Sequence, residues 1–341
     1  MRFGLSMTVQ HHLDKDMVTA LEENYVMVHH ARDKGWHWLT CGQHYLNEGN
    51  NQMLQMLTLM ARLQAEAGEM GAVLGVVLLN LHNPVYVAET VASLDVIWKG
   101  NLAFGVGLGY RDVEFDAFGV PRGQRARRYE QVLELVKRLW TEERVSFASD
   151  WCTLRDVHMN LRPVQRPHPP IWVAANNEKG VRRAARMGDT WYLNPHATVA
   201  SLEALLAIYR TEREALGKPQ PSVLPCEREI FCARDRRTAI ELAGPYLAGK
   251  YQSYAQWGQD KVMPGQEDFR QSLDALLQDR FVLGSPEECF EQLRPLWERL
   301  GVNHLNFRTR WPGMPLPLAL GSMRLLSDEL LPELRKVRPA A

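Results

Sequence analysis

Residues 72–107 read AVLGVVLLNLHNPVYVAETVASLDVIWKGNLAFGVG. Ala72 to Leu79 is a continuous apolar run of strand length, the pattern of a strand buried on both faces. Asn83-Pro84 then puts a capping side chain before a proline at the first helical position. The helix so opened ends at Gly100, and Leu102 to Val106 follows as another strand. Strand, helix and strand in close succession set the rhythm of the chain.

The same alternation runs outward in both directions. Toward the amino terminus, Phe3 to Val9 suits a first strand and Val18 to Lys34 a helix ended by Gly35. Trp36 to Cys41 suits a second strand, and Met53 to Leu63 a helix. Toward the carboxyl terminus, Tyr129, Val132, Leu133, Val136, Leu139 and Trp140 form one amphipathic stripe. A short β excursion is expected within 145–154, and proline-rich 162–170 as an extended connection. Strands five to eight are expected at Ile171 to Ala175, Thr190 to Leu193, Glu229 to Ala233 and Val302 to Phe307. Ser285 and Glu288 have the spacing of a capping box. Eight strands, each followed by a helix, predict a (β/α)8 TIM barrel spanning residues 1–341 as one domain. A helical and loop insertion is expected after strand seven, at about 246–282.

Composition narrows the function. Of 341 residues 45% are apolar and 23% charged, and acidic and basic side chains balance to a net charge of zero. A nucleic-acid binder usually carries a basic excess, so that class is disfavoured. No apolar run approaches the roughly 18–20 residues that cross a bilayer, and the opening MRFGLSMTVQ lacks signal-peptide features. Five scattered cysteines without a CxxC read as reduced thiols, so a cytoplasmic setting is expected. HExxH, GxSxG and P-loop patterns are absent, and no metal site is expected.

In such a barrel the chemistry lies where strands end. The junctions carry Gln43-His44-Tyr45, the glycine string Gly105 to Tyr110, and Ala174-Ala175-Asn176-Asn177-Glu178-Lys179-Gly180. The string fails as GxGxxG in either register, so its glycines either let a flat ligand approach the backbone or relieve crowding at the rim. Asn176, Asn177 and Gly180 stand between a strand and a helix, where a phosphate or an ordinary capped turn is possible. Lys179, Arg182 and Arg183 add charge nearby. His44 at a strand tip can exchange protons near neutrality, although a lone histidine is more often structural. Trp36, Trp38, Trp172, Trp191 and Trp311 read as pocket lining or core.

Several separated blocks resemble one family in order. HNPVYVAETVASLDVIWKGNLAFGVGLGYRDVEFDAFGVP (82–121), NLRPVQRPHPPIWVAANNEKGVRRAARMGD (160–189), GSPEECFEQL (284–293) and WPGMPLPLALGSMRLLSDELLPEL (311–334) are similar to the bacterial-luciferase-like flavin-dependent monooxygenases. The resemblance implies a (β/α)8 barrel that binds FMN, or in some branches F420, in its mouth. It implies His44 in proton transfer, and Leu74-Gly75 as a non-prolyl cis peptide under the isoalloxazine ring. Gly107, Leu108 and Tyr110 would form the rim beside the flavin, and Ala174, Asn176, Asn177 and Gly180 the phosphate loop. Where luciferase has a phosphate-binding arginine after strand four this chain has Leu108, with Arg111 or Arg125 as replacements. The implied activity is oxygenation of a small hydrophobic substrate by reduced FMN and O2, with a separate NAD(P)H:flavin reductase as partner and a homodimer as assembly. F420-dependent hydride transfer and a non-catalytic flavin-binding subunit are the alternatives.

Overall fold

The computed structural model describes residues 1–263, 269–277 and 280–338. Its nine principal strands are β1 (Arg2–Ser6), β2 (Trp38–Cys41), β3 (Gly71–Leu74), β4 (Leu102–Gly107), β5 (Ile171–Ala174), β6 (Thr190–Tyr192), β7 (Pro225–Cys232), β8 (Phe281–Gly284) and β9 (His304–Arg308). All pair in parallel, in the order β6-β5-β4-β3-β2-β1-β9-β7-β8. A parallel bridge from Leu193 to Cys226 joins β6 to β7, so eight strands close on themselves. Strand β8 lies outside the ring and, among the described residues, pairs only with the last four residues of β7. The expected (β/α)8 barrel is therefore observed, with a ninth strand that the sequence reading did not separate from its neighbourhood.

Alternation along each strand explains the layering. Phe3, Leu5, Leu39, Phe104, Val173 and Leu305 belong to the large apolar cluster shared with the helices. Their neighbours in sequence meet inside the ring. Val73, Ala103, Trp172 and Tyr192 form one inner cluster, against which Trp38 packs. Trp172 stands 5.0 Å from His304, ring centre to ring centre. Of the two readings of the five tryptophans, core is the one observed: none of them lines the main cavity. Trp38 and Trp172 fill the barrel, whereas Trp36, Trp191 and Trp311 belong to the outer core.

Local chemistry sets the helix ends. Helix α1 (Met17–Asp33) starts at Asp16, whose carboxylate accepts from the Thr19 amide. Helix α2 is Met56–Ala67. Helix α3 (Pro84–Ile97) starts at Asn83-Pro84 as read from sequence. Helix α4 is Arg125–Thr141, and a β-hairpin of Val145–Ala148 with Thr153–Val157 follows. Helix α5 (Glu178–Met187) is capped by Asn177, and α6 is Val199–Ala215. Helix α7 (Arg236–Gln256) extends well into the span expected as an insertion, of which 264–268 and 278–279 lie outside the described residues. Helix α8 (Pro286–Glu298) opens with the expected capping box at Ser285.

Three expectations need correction. The run from Ala72 is not one strand to Leu79: β3 stops at Leu74, and Val77–Leu78 resumes pairing with β4. Between them lies a cis peptide, at Gly75-Val76 rather than Leu74-Gly75. Leu74, one residue past inward-facing Val73, therefore packs into the helix layer and does not line the cavity. Strand β7 begins at Pro225, four positions before the expected Glu229, because three charged residues in CEREIFC conceal a strand that is buried throughout.

The rim glycines serve this break. A Cβ on Gly105 would stand 2.0 Å from the Leu74 carbonyl oxygen, and one on Gly107 would stand 2.6 Å from Val76 Cγ2. Crowding between β3 and β4 thus suffices to require glycine at both positions.

Candidate active site

A cavity of about 280 Å³ opens at the carboxyl ends of the strands. Of the residues singled out from sequence, His44, Gly75, Gly107, Leu108, Tyr110, Ala174, Asn176, Asn177 and Gly180 all line it, and Leu74 does not. Residues from every quarter of the chain converge because parallel strands all end at the same face.

One end carries positive charge. The α5 amino terminus reaches the cavity through Asn177 and Gly180, bringing the positive end of its dipole. The Gly180 amide is not free, since it donates to Asn177 Oδ1 at 3.0 Å. A Cβ on Gly180 would lie 3.0 Å from that of Ala175, which accounts for glycine there. Of Lys179, Arg182 and Arg183, only Arg183 lines the cavity, where its Nε also donates to Glu130 at 2.7 Å. Arg182 instead pairs with Glu178 and Glu212 on the outside. The two candidate replacements for a missing arginine stand in different places. Arg125 lines the cavity, whereas Arg111 is buried and donates to the carbonyls of Tyr45 and Leu46 at 2.6 and 3.0 Å.

His44 is held by a partner that sequence reading missed. Its Nδ1 lies 3.1 Å from Oε1 of Glu114, in the short helix Asp112–Ala117 that follows β4. The same oxygen accepts from the Tyr45 amide at 2.9 Å, and Arg111 pairs with it at 3.5 Å. Glu114 is 1% exposed. Because Oε1 already accepts from the Tyr45 amide, it acts as an acceptor toward the ring too, so Nδ1 carries the proton and Nε2 presents the lone pair. Tyr110 and Trp257 pack against the ring at 5.7 and 5.6 Å between centres. A buried carboxylate that orients an imidazole is the arrangement of a positioned acid–base group. The only signal for Glu114 in the sequence is its place just after the glycine string.

The inner wall of the cavity is charged, although little in the sequence announces it. Glu227 on β7 accepts from Ser6 Oγ at 2.7 Å, from Tyr192 at 3.2 Å and from Arg308 on β9 at 3.2 Å. Asn306 donates to the Tyr192 hydroxyl at 3.0 Å. Burial alone would push Arg308 down, but the Glu227 carboxylate beside it holds the guanidinium above its ordinary value. Burial, helped by Glu227, raises the Tyr192 phenol. Lys250 on α7 pairs with Glu229, and burial pushes its ammonium down to about 8 against the pull of that carboxylate. Burial lowers His196 well below the usual imidazole range, with Lys250 and Arg308 adding to the effect.

Two buried donors of the cavity lining face no protein acceptor among the described residues. Gln43 is oriented by its Oε1, which accepts from the Leu78 amide at 3.0 Å, so its unpartnered Nε2 can only donate. The Tyr110 hydroxyl is also without a partner. Both residues line the cavity, and buried polar atoms left so call for a ligand or water.

A closed parallel barrel with a cleft of mixed polar and apolar lining over its strand tips defines the class of TIM-barrel enzymes that bind their ligands at that face. Within it, the chain belongs to the luciferase-like monooxygenase family, whose profile matches residues 1–304. It is 30% identical over 138 residues to the FMNH2-dependent dimethylsulfone monooxygenase of Pseudomonas putida, a match covering 40% of this chain and 38% of that protein. The oxygenating constituent of 3,6-diketocamphane monooxygenase of Pseudomonas putida, a type II Baeyer–Villiger enzyme solved with FMN, superposes with a TM-score of 0.83 at 17% identity, covering 100% of this chain and 99% of that one. An F420-dependent secondary alcohol dehydrogenase superposes with a TM-score of 0.77 at 17% identity, covering 96% and 97%. At these identities the two structures establish the shared fold. Among the described residues no helix is long and apolar enough to cross a membrane.

Proposed function

We propose that this protein is a flavin-dependent monooxygenase that takes reduced FMN from a separate NAD(P)H:flavin reductase and uses O2 to oxygenate a small organic substrate. The observation that carries the reading is that one cavity joins an anion-binding end, at Asn177, Arg125 and Arg183, to the His44–Glu114 pair. The residues present fit FMN. Two arginines and a helix amino terminus suit its phosphate, and the unpartnered Gln43 Nε2 and Tyr110 hydroxyl suit oxygens of its ring.

Bound reduced FMN would supply the electrons with which O2 is activated. The chain supplies the rest. Arg125 and Arg183 would neutralise the phosphate, while Val9, Met53, Val76, Leu78 and Leu108 keep water from the reacting atoms. Through Nε2, His44 accepts or returns a proton, and Glu114 keeps the ring in the required tautomer.

The likeness to an F420-dependent dehydrogenase supports a second reading, hydride transfer with F420 on the same barrel. Oxygen uptake separates the two. With reduced FMN and a panel of small organic substrates, the expected result is substrate-dependent O2 consumption and transfer of one labelled oxygen atom to product. Anaerobic turnover with F420, and none with FMN, would overturn the monooxygenase reading.

A further inference from the structure

A second cavity, of about 110 Å³, opens beside the first. Gln10, Lys250 and Tyr254 line both, so the two spaces adjoin across these side chains. The second lining presents Lys250, His12 and Asn51, and among the described residues it contains no aspartate or glutamate. Glu229, which holds Lys250, lines neither space and also accepts from Trp311 at 3.3 Å.

Lys250 is 4% exposed, and its ammonium stands 4.9 Å over the Tyr254 ring. An ammonium has three N–H donors, and Glu229 is its one hydrogen-bonded partner among the described residues. A buried cation with donors to spare, at the junction of two cavities, is a preset anchor for an acceptor-bearing group. A lysine suits this place because a compact ammonium can serve a fixed carboxylate and a ligand from different directions.

We propose that the second cavity is a distal subsite of the substrate pocket, built to take a carboxylate on the substrate with Lys250 as its anchor. The inference rests on the monooxygenase reading only in calling the ligand a substrate; the carboxylate site itself stands apart from the cofactor. The reacting end of the molecule lies in the first cavity, which His44 lines.

Gly249 offers a clean test. It lines the second cavity and not the first, and a Cβ there meets nothing within 4 Å. Gly249→Leu therefore fills the subsite and also suits the helix better than glycine. Calorimetric titration would compare hexanoate with its neutral analogue hexanamide, alongside a separate FMN titration. Wild-type protein should bind hexanoate at least tenfold tighter than hexanamide. Gly249→Leu should lose at least tenfold in hexanoate affinity while binding FMN as before, and Lys250→Gln should abolish the preference for the charged probe. Equal affinity for the two probes, no hexanoate binding by wild-type protein, or wild-type hexanoate affinity in Gly249→Leu would each overturn the proposal. Failure of FMN to bind, with the hexanoate pattern intact, would count against the flavin reading alone.

Discussion

Replacing His44 by alanine is expected to cut turnover roughly 10²–10⁴-fold, the range for losing a positioned acid–base group. FMN affinity should stay at the wild-type level. The imidazole is fixed through Nδ1 by Glu114, and it stands on a different element from the arginines expected to hold the phosphate. Added imidazole should restore part of the lost rate, because the space vacated by the ring opens on the cavity. Glu114→Gln should do less harm: an amide keeps an acceptor for Nδ1–H but loses the negative charge that favours that tautomer. Steady-state assays with reduced FMN, paired with FMN titrations, check both variants. Unchanged turnover in His44→Ala would remove the histidine from the mechanism.

The second large effect concerns stability. Glu227→Leu should destabilise the fold by about 3–5 kcal/mol, because it leaves the Arg308 guanidinium buried without its carboxylate. Ser6 and Tyr192 lose their acceptor in the same step. Adding Arg308→Met to Glu227→Leu should recover much of that loss, since removing both charges leaves nothing uncompensated. Urea denaturation of the two single variants and the double variant measures the coupling. Additive single losses, with no recovery in the double variant, would show that the pair is not the unit described.

What the sequence disclosed, and what it hid, follows from how each feature is encoded. Apolar runs and caps are local signals, so the βαβ rhythm, the Asn83-Pro84 helix start and the Ser285 capping box were all legible. Strand tips follow from the rhythm, which brought nine of the ten residues proposed from sequence to one cavity. Leu74 was misplaced because faces alternate along β3: as the neighbour of inward-facing Val73 it turns to the helix layer, and the sequence does not say which of the two faces in. Glu227 escaped because the charges that make up the inner wall look, in one dimension, like a solvent-exposed turn. Glu114 and Lys250 act through partners 70 and 21 positions away, and no periodicity records such pairing. The cysteines give a smaller example: scattered in the chain, Cys232 and Cys289 bring their thiols within 3.5 Å in the core.

A crystal of the protein soaked with FMN tests the central claim most directly. The phosphate should be found between Asn177, Arg125 and Arg183, with the ring lying along Gly75-Val76 and reaching toward His44. A phosphate seated elsewhere on the surface, or a mouth that excludes the ring, would contradict the account.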